Sequence, residues 1–171
     1  MTWTAPPVTR PEGSLTADER AMTVDFLAWQ RSTLLLKCAG LTAEQLVQRS
    51  VAHSGLSLLG LVRHLADVER SWFRRRVAGE DAPPIFYTQA QPDLDIDPPP
   101  DADPDADFAT WRAEVAACDA AVAGRDLDDT FVSRTDTLSL RWLYGHMIEE
   151  YARHNGHADL IRQAIDGATG E

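Results

Sequence analysis

Glu150 and His154 lie four residues apart inside an apolar stripe, and of all the polar pairs in this chain theirs has the clearest chemistry. The segment LSLRWLYGHMIEEYARHNGHADLIRQAIDG, Leu138 to Gly167, reads as one long helix. Thr137 or Ser139 is placed to cap its start and Gly167 to end it. At about 100° per residue, Leu140, Leu143, Tyr144, Met147, Tyr151, Ala158, Ile161 and Ile165 form one core-facing arc. His154 falls within that arc and Glu150 toward its edge, so both side chains reach one point in the interior. A carboxylate buried there is costly unless it is paired or binds a cation.

A third group comes from SLLGLVRHLADVERSWFRRRVAG, where Leu58, Leu61, Leu65, Val68 and Trp72 make a buried stripe with His64 on its shoulder. Two imidazoles and one carboxylate are the ligand set of a catalytic zinc site with an open position, and equally of a non-haem iron site. The chemistry of the residues leaves zinc and iron both open. A commoner meaning of Glu-x-x-x-His is a surface pair, and of a lone His a satisfied core residue. His146 and His157 extend the same side of the long helix as candidates for substrate binding or proton relay. Arg74 and Arg75, with Arg70 and Arg76, crowd the end of the second helix. They either complement its dipole in solvent or meet an anion at a cleft mouth.

The elements that must position these groups follow from apolar period and capping residues. Residues 1–14 carry Pro6, Pro7 and Pro11 without period and read as an extended arm, with Trp3 as its possible anchor; residues 15–171 read as a single domain. Helix one is expected from Ala17 to Ala39, headed by a Thr16/Glu19 capping box, with Met22, Phe26, Trp29, Thr33, Leu36 and Lys37 in helical register. Helix two is expected from Ser57 to Ala78. Helix three is expected from Phe108 to Ala123, with Phe108, Trp111, Val115, Cys118 and Val122 inward. Between helices two and three, Glu80 to Asp107 is rich in Pro and Asp and reads as a long solvated crossover, with Ile85 to Tyr87 packing back. Its DPDAD run lacks the glycine and closing glutamate of a calcium loop. No strand-like alternation longer than a few residues is evident. The expected fold is all-α, a four-helix bundle with a long Pro/Asp-rich crossover loop.

Bulk properties narrow the function. A net charge of -11 disfavours nucleic acid and anionic membranes as partners. No apolar run approaches a membrane span and the first residues lack a signal-peptide pattern, so a cytoplasmic protein is expected. Cys38 and Cys118 are too far apart for a CxxC motif and read as core residues. Fifteen arginines against the single Lys37 suit GC-rich coding sequence.

HLADVERSWF together with HMIEEYARHNGHADLIRQAIDG resembles the DinB-like superfamily of metal-binding four-helix bundles, which includes maleylpyruvate isomerase-like proteins, and in particular its actinobacterial branch with a "mini-circle" protein. The resemblance covers essentially helix one to helix four. It implies that His64, Glu150 and His154 bind a divalent ion, zinc foremost, with nickel or iron as alternatives. Many relatives have histidine where this chain has Glu150, and HRGQ where it has His154-Asn155-Gly156-His157. The glutamate resembles mycothiol-dependent maleylpyruvate isomerase relatives. The isomerase itself has a further C-terminal domain and its reaction is not carried over. The implied activity is activation of a low-molecular-weight thiol such as mycothiol for transfer to a small electrophile; for that chemistry the residues themselves offer His157 as the catalytic proton relay and Arg74, Arg75 and His146 for binding substrate. A homodimer is also implied, to which Trp29, Leu34 and Leu35 would contribute. The alternatives are an iron oxygenase-type site or a non-catalytic metal-binding or stress-associated helical protein.

Overall fold

The computed structural model describes residues 3–170. Among them the chain is mostly helical with one small two-stranded sheet. Helix α1 spans Glu19–Cys38, α2 Ala43–Leu46, α3 Leu58–Glu69, α4 Pro104–Val122 and α5 Leu140–Asp166. Helix α3 continues without a break into π-helical turns over Arg70–Val77. Strands β1 (Thr130–Ser133) and β2 (Asp136–Ser139) pair antiparallel just before α5.

Capping residues set the boundaries. Ser139 accepts from the Trp142 amide at the head of α5, and Gly167 closes it in the left-handed region at φ 79. Ser57 caps α3 through the Gly60 amide, and Asp103 starts α4 ahead of Pro104 at its first turn. At α1 the capping-box expectation is corrected: Asp18, not Thr16, accepts the Ala21 amide. The sheet is a second correction. Its register pairs Phe131 with Leu138 across a turn where Arg134 takes φ 56, and alternation over only four residues per strand was too brief to read.

The core lies where α5 packs along α1 and against α3, while α4 covers α3 and its π turns. Leu34, Cys38, Leu61, Leu65, Phe73, Leu143, Met147 and Tyr151 are fully buried in it. On α1 the buried residues are Leu27, Arg31, Thr33, Leu34, Leu35, Lys37 and Cys38. Of the register expected through Met22, Phe26, Trp29, Thr33, Leu36 and Lys37, Thr33 and Lys37 are buried, whereas Phe26 and Trp29 are exposed, which corrects its N-terminal half. Two apolar stripes compete on this helix. The one that goes inward carries Leu27, Leu34, Leu35 and Cys38, and the Arg31 guanidinium buried with them is met by Glu69 of α3. Leu34 and Leu35 are therefore spent in the core and do not serve a dimer surface.

The arm is seated. Ala5 exchanges backbone hydrogen bonds with Gly40 and Leu41, and Trp3 stacks on Phe108 at 6.2 Å. Met1 and Thr2 of the expected arm lie outside the described residues. Between Val77 and Pro104 the chain forms no helix or strand, yet much of it is held down. Asp67 accepts from the amides of Ile85 and Phe86 at 2.6 and 2.9 Å, and Ala82 and Asp95 are buried.

Candidate metal centre

Helix α3 presents His64, and one face of α5 presents Glu150 and His154. The structure brings these three together. One ligand atom of each lies within 4.8 Å of those of the other two. Glu150 Oε1 stands 3.7 Å from His64 Nε2 and 3.4 Å from His154 Nε2, and the two rings meet edge to face at 5.0 Å. Two ligand atoms each about 2.1 Å from one tetrahedral ion are separated by about 3.4 Å. The spacing therefore matches ligands around a common ion.

The atoms that converge can all act as acceptors: the carboxylate oxygen always, each Nε2 when its ring carries its proton on Nδ1. His64 Nδ1 lies 2.8 Å from Asp95 Oδ2, so its proton belongs there and Nε2 carries the lone pair. Behind His154, the Nδ1 atom of His157 lies 3.4 Å from His154 Nδ1, on the side of the ring away from Glu150. With both Nε2 atoms unprotonated, two lone pairs and a carboxylate oxygen face one point, a set that could hold a divalent cation; with a proton on either ring, Glu150 accepts from it instead. His154 is buried, whereas His64 and Glu150 keep about a quarter and a fifth of their side chains exposed, which leaves the cluster an open side.

Electrostatics separates the two imidazoles. Burial alone lowers the His64 pKa, but the hydrogen bond and charge of Asp95 and the charge of Glu150 outweigh it, leaving the group raised. His154 is lowered, by burial first and then by the positive charge of a protonated His64. Of the two imidazoles, His64 is therefore the one that takes up a proton first as pH falls.

The remaining sequence candidates are dispersed. His146 stacks on Trp142 at 5.1 Å and meets Trp72 edge-on at 4.9 Å, in an aromatic group one turn before Glu150. Arg74 is engaged by Glu80 at 2.7 Å and Glu114 at 3.1 Å, toward α4. Arg75 is exposed at the rim of a polar hollow with Glu80 and Asp81. The arginine lining the cavity beside His64 is Arg76. That cavity, about 220 Å³, is also walled by Ser71, Trp72, Tyr87 and Asp95. The π turns explain the exchange. Twelve residues at about 100° each would leave Arg76 about 120° from His64 and put Arg75 nearly in line with it. Counting the turns from Arg70 at roughly 80° per residue brings Arg76 onto the His64 face and swings Arg75 away. The guanidinium lies over the Trp72 ring at 4.4 Å, and its NH1 donates to the Ser71 carbonyl at 2.9 Å.

Sequence reasoning missed Asp95. It sits among Asp93, Asp97 and Asp101 in a stretch without period, and nothing in that spacing distinguishes it.

A family model described as mycothiol-S-transferase matches residues 22–167, a span that contains the three clustered residues, Asp95 and Arg76. No curated protein and no solved structure matches the chain. The matched span is most of the 171 residues, and the chain belongs to the mycothiol-S-transferase family, within the DinB-like superfamily.

Proposed function

We propose that this chain is a divalent-metal-dependent S-transferase in which His64, Glu150 and His154 hold the ion and mycothiol is the thiol transferred to a small electrophile. The observation that carries this reading is the convergence of Nε2, Oε1 and Nε2 at ligand spacing in a member of a mycothiol-S-transferase family. When bound, zinc or a similar ion supplies the Lewis acidity that lowers a thiol pKa toward neutrality. The protein's own thiols do not fill that role. Both are buried, and burial pushes Cys38 up to about 12 and Cys118 higher still, so the nucleophilic sulfur belongs to the small molecule.

The remaining groups surround that chemistry. His157 backs His154 and holds its ring, a placement that favours steadying a ligand over relaying a proton from substrate. Arg76 and Tyr87 wall the cavity next to His64 and are the groups placed to meet a polar part of thiol or electrophile. The fold is read as a DinB-like four-helix bundle made by α1, α3 with its π turns, α4 and α5, formed by residues 15–171 with the arm laid over it. A cytoplasmic homodimer completes the reading; among the described residues no helix is long and apolar enough to cross a membrane.

The test is elemental analysis of protein purified without a histidine tag, beside His64→Ala, followed by thiol transfer to an alkylating electrophile. About one zinc or nickel per chain, lost in the variant together with product formation, is the expected result. Full occupancy in His64→Ala would sink the assigned site, and stoichiometric iron would favour oxygen chemistry instead.

A further inference from the structure

Gly60, Arg63, His64 and Asp67 recur at one helical face of α3, and each of them touches the segment 85–96. Asp67 accepts the Ile85 and Phe86 amides, and Arg63 donates to the Leu94 carbonyl at 3.1 Å with its guanidinium 4.3 Å from the Phe86 ring. At Gly60 the backbone approaches so closely that an added Cβ would lie 2.1 Å from the Ile96 carbonyl oxygen. Between these contacts Asp95, buried to 7 % exposure, reaches His64 Nδ1. The connection is thus seated on α3 along four positions, one of which is a member of the metal cluster.

We propose that Asp95 is a positioning residue for metal binding, and that through it the seating of residues 85–96 on α3 is coupled to occupancy of the His64, Glu150 and His154 cluster. An imidazole free at Nδ1 can turn about its soft outer torsion and can place its proton on either nitrogen. The Asp95 carboxylate removes both freedoms, aiming the Nε2 lone pair at Glu150 and making it more basic. Coupling is reciprocal: whatever affinity the seated loop adds, the bound ion returns to the loop as stability. The inference rests on the metal reading above and adds to it a residue outside the ligand set.

The experiment uses zinc and the full chain, with affinity read by competition against a chromogenic chelator and loop seating by amide hydrogen exchange of residues 85–96. Asp95→Ala is expected to weaken zinc binding about 10- to 100-fold. Asp95→Asn, which keeps an acceptor without the charge, is expected to fall between it and the wild type. Gly60→Ala, which lifts the loop through Ile96 and removes no polar group, is also expected to weaken zinc binding. Zinc should slow exchange in 85–96 of the wild type and not of Asp95→Ala. Wild-type affinity in both Asp95→Asn and Gly60→Ala would overturn the proposal while leaving the metal reading intact. A wild-type chain that takes up no zinc would overturn the metal reading itself, and this proposal with it.

Discussion

Two of the polar groups set into the core of this protein are built on opposite principles. In the first, Glu69 of α3 is fully buried and receives Arg31 of α1 through both carboxylate oxygens, at 2.6 and 2.7 Å. Tyr151 donates to the same carboxylate at 3.0 Å and accepts from Trp111 Nε1 at 3.2 Å. Burial by itself would lower the Arg31 pKa; the charge and hydrogen bonds of Glu69 more than reverse that and hold it well above the ordinary range. Every lone pair named here faces a donor, and the network ties four helices together around one balanced pair of charges. In the second group, the Nε2 atoms of His64 and His154 converge on Glu150 Oε1, while Asp95 accepts from His64 on its far side and His157 stands behind His154. Tyr151 and Glu150 are adjacent in sequence, so one turn of α5 serves both. A matched set of donors and acceptors closes a core, whereas an unmatched set of acceptors makes a place for a cation.

The contrast predicts that the same kind of deletion has different consequences in the two groups. Glu69→Ala leaves the Arg31 guanidinium buried with only the exposed Asp119 beside it, and a loss of about 3–5 kcal/mol is expected by urea unfolding. A loss below about 1 kcal/mol would mean that water enters and the network is less closed than it looks. Glu150→Ala should have little effect on metal-free stability. It should abolish the gain that zinc gives the wild type, a gain of about 2.7 kcal/mol at a hundredfold excess over Kd. Equal zinc-induced shifts in melting temperature for both proteins would break the comparison.

Tyr151→Phe sharpens it at the boundary. Removing one hydroxyl leaves Trp111 Nε1 without its acceptor and Glu69 with one donor fewer, at a cost of about 1–3 kcal/mol in stability. Zinc affinity should stay unchanged, because Tyr151 turns toward α4 and α3 rather than into the cluster. The smallest effect concerns protonation. In metal-free protein His64 should titrate above its ordinary value, which NMR of the imidazole measures, and Asp95→Asn should lower it. A raised folded pKa means that this histidine adds stability below pH of about 6.5, and that the contribution disappears as pH rises through the folded value. His154, lowered by burial and by His64, acts in the opposite sense: its contribution is present above about pH 6.5 and is lost as pH falls. A His64 pKa unmoved in Asp95→Asn would show that Asp95 carries no weight there.

The sequence by itself determined the elements whose causes are local. Apolar period with Ser139 and Gly167 as caps marked α5 within two residues, and the His64 shoulder and the Glu150/His154 face were legible because helical spacing fixes which side chains share a side. Of Ile85 to Tyr87, read as packing back because apolar residues in a polar stretch seek cover, Ile85 and Phe86 do pack on the core, while Tyr87 walls the cavity beside His64. Tertiary structure alone decided the rest. That the inward stripe of α1 carries Arg31 could not be read, because its partner Glu69 lies thirty-eight residues away, a pairing no window of sequence contains. Arg76 replaced Arg75 at the cavity because π turns changed the angular step that sequence reading assumes. Asp95, one aspartate among several in a stretch without period, became the partner of His64 only when Gly60 let the loop lie against α3, and contacts between distant segments leave no periodic trace.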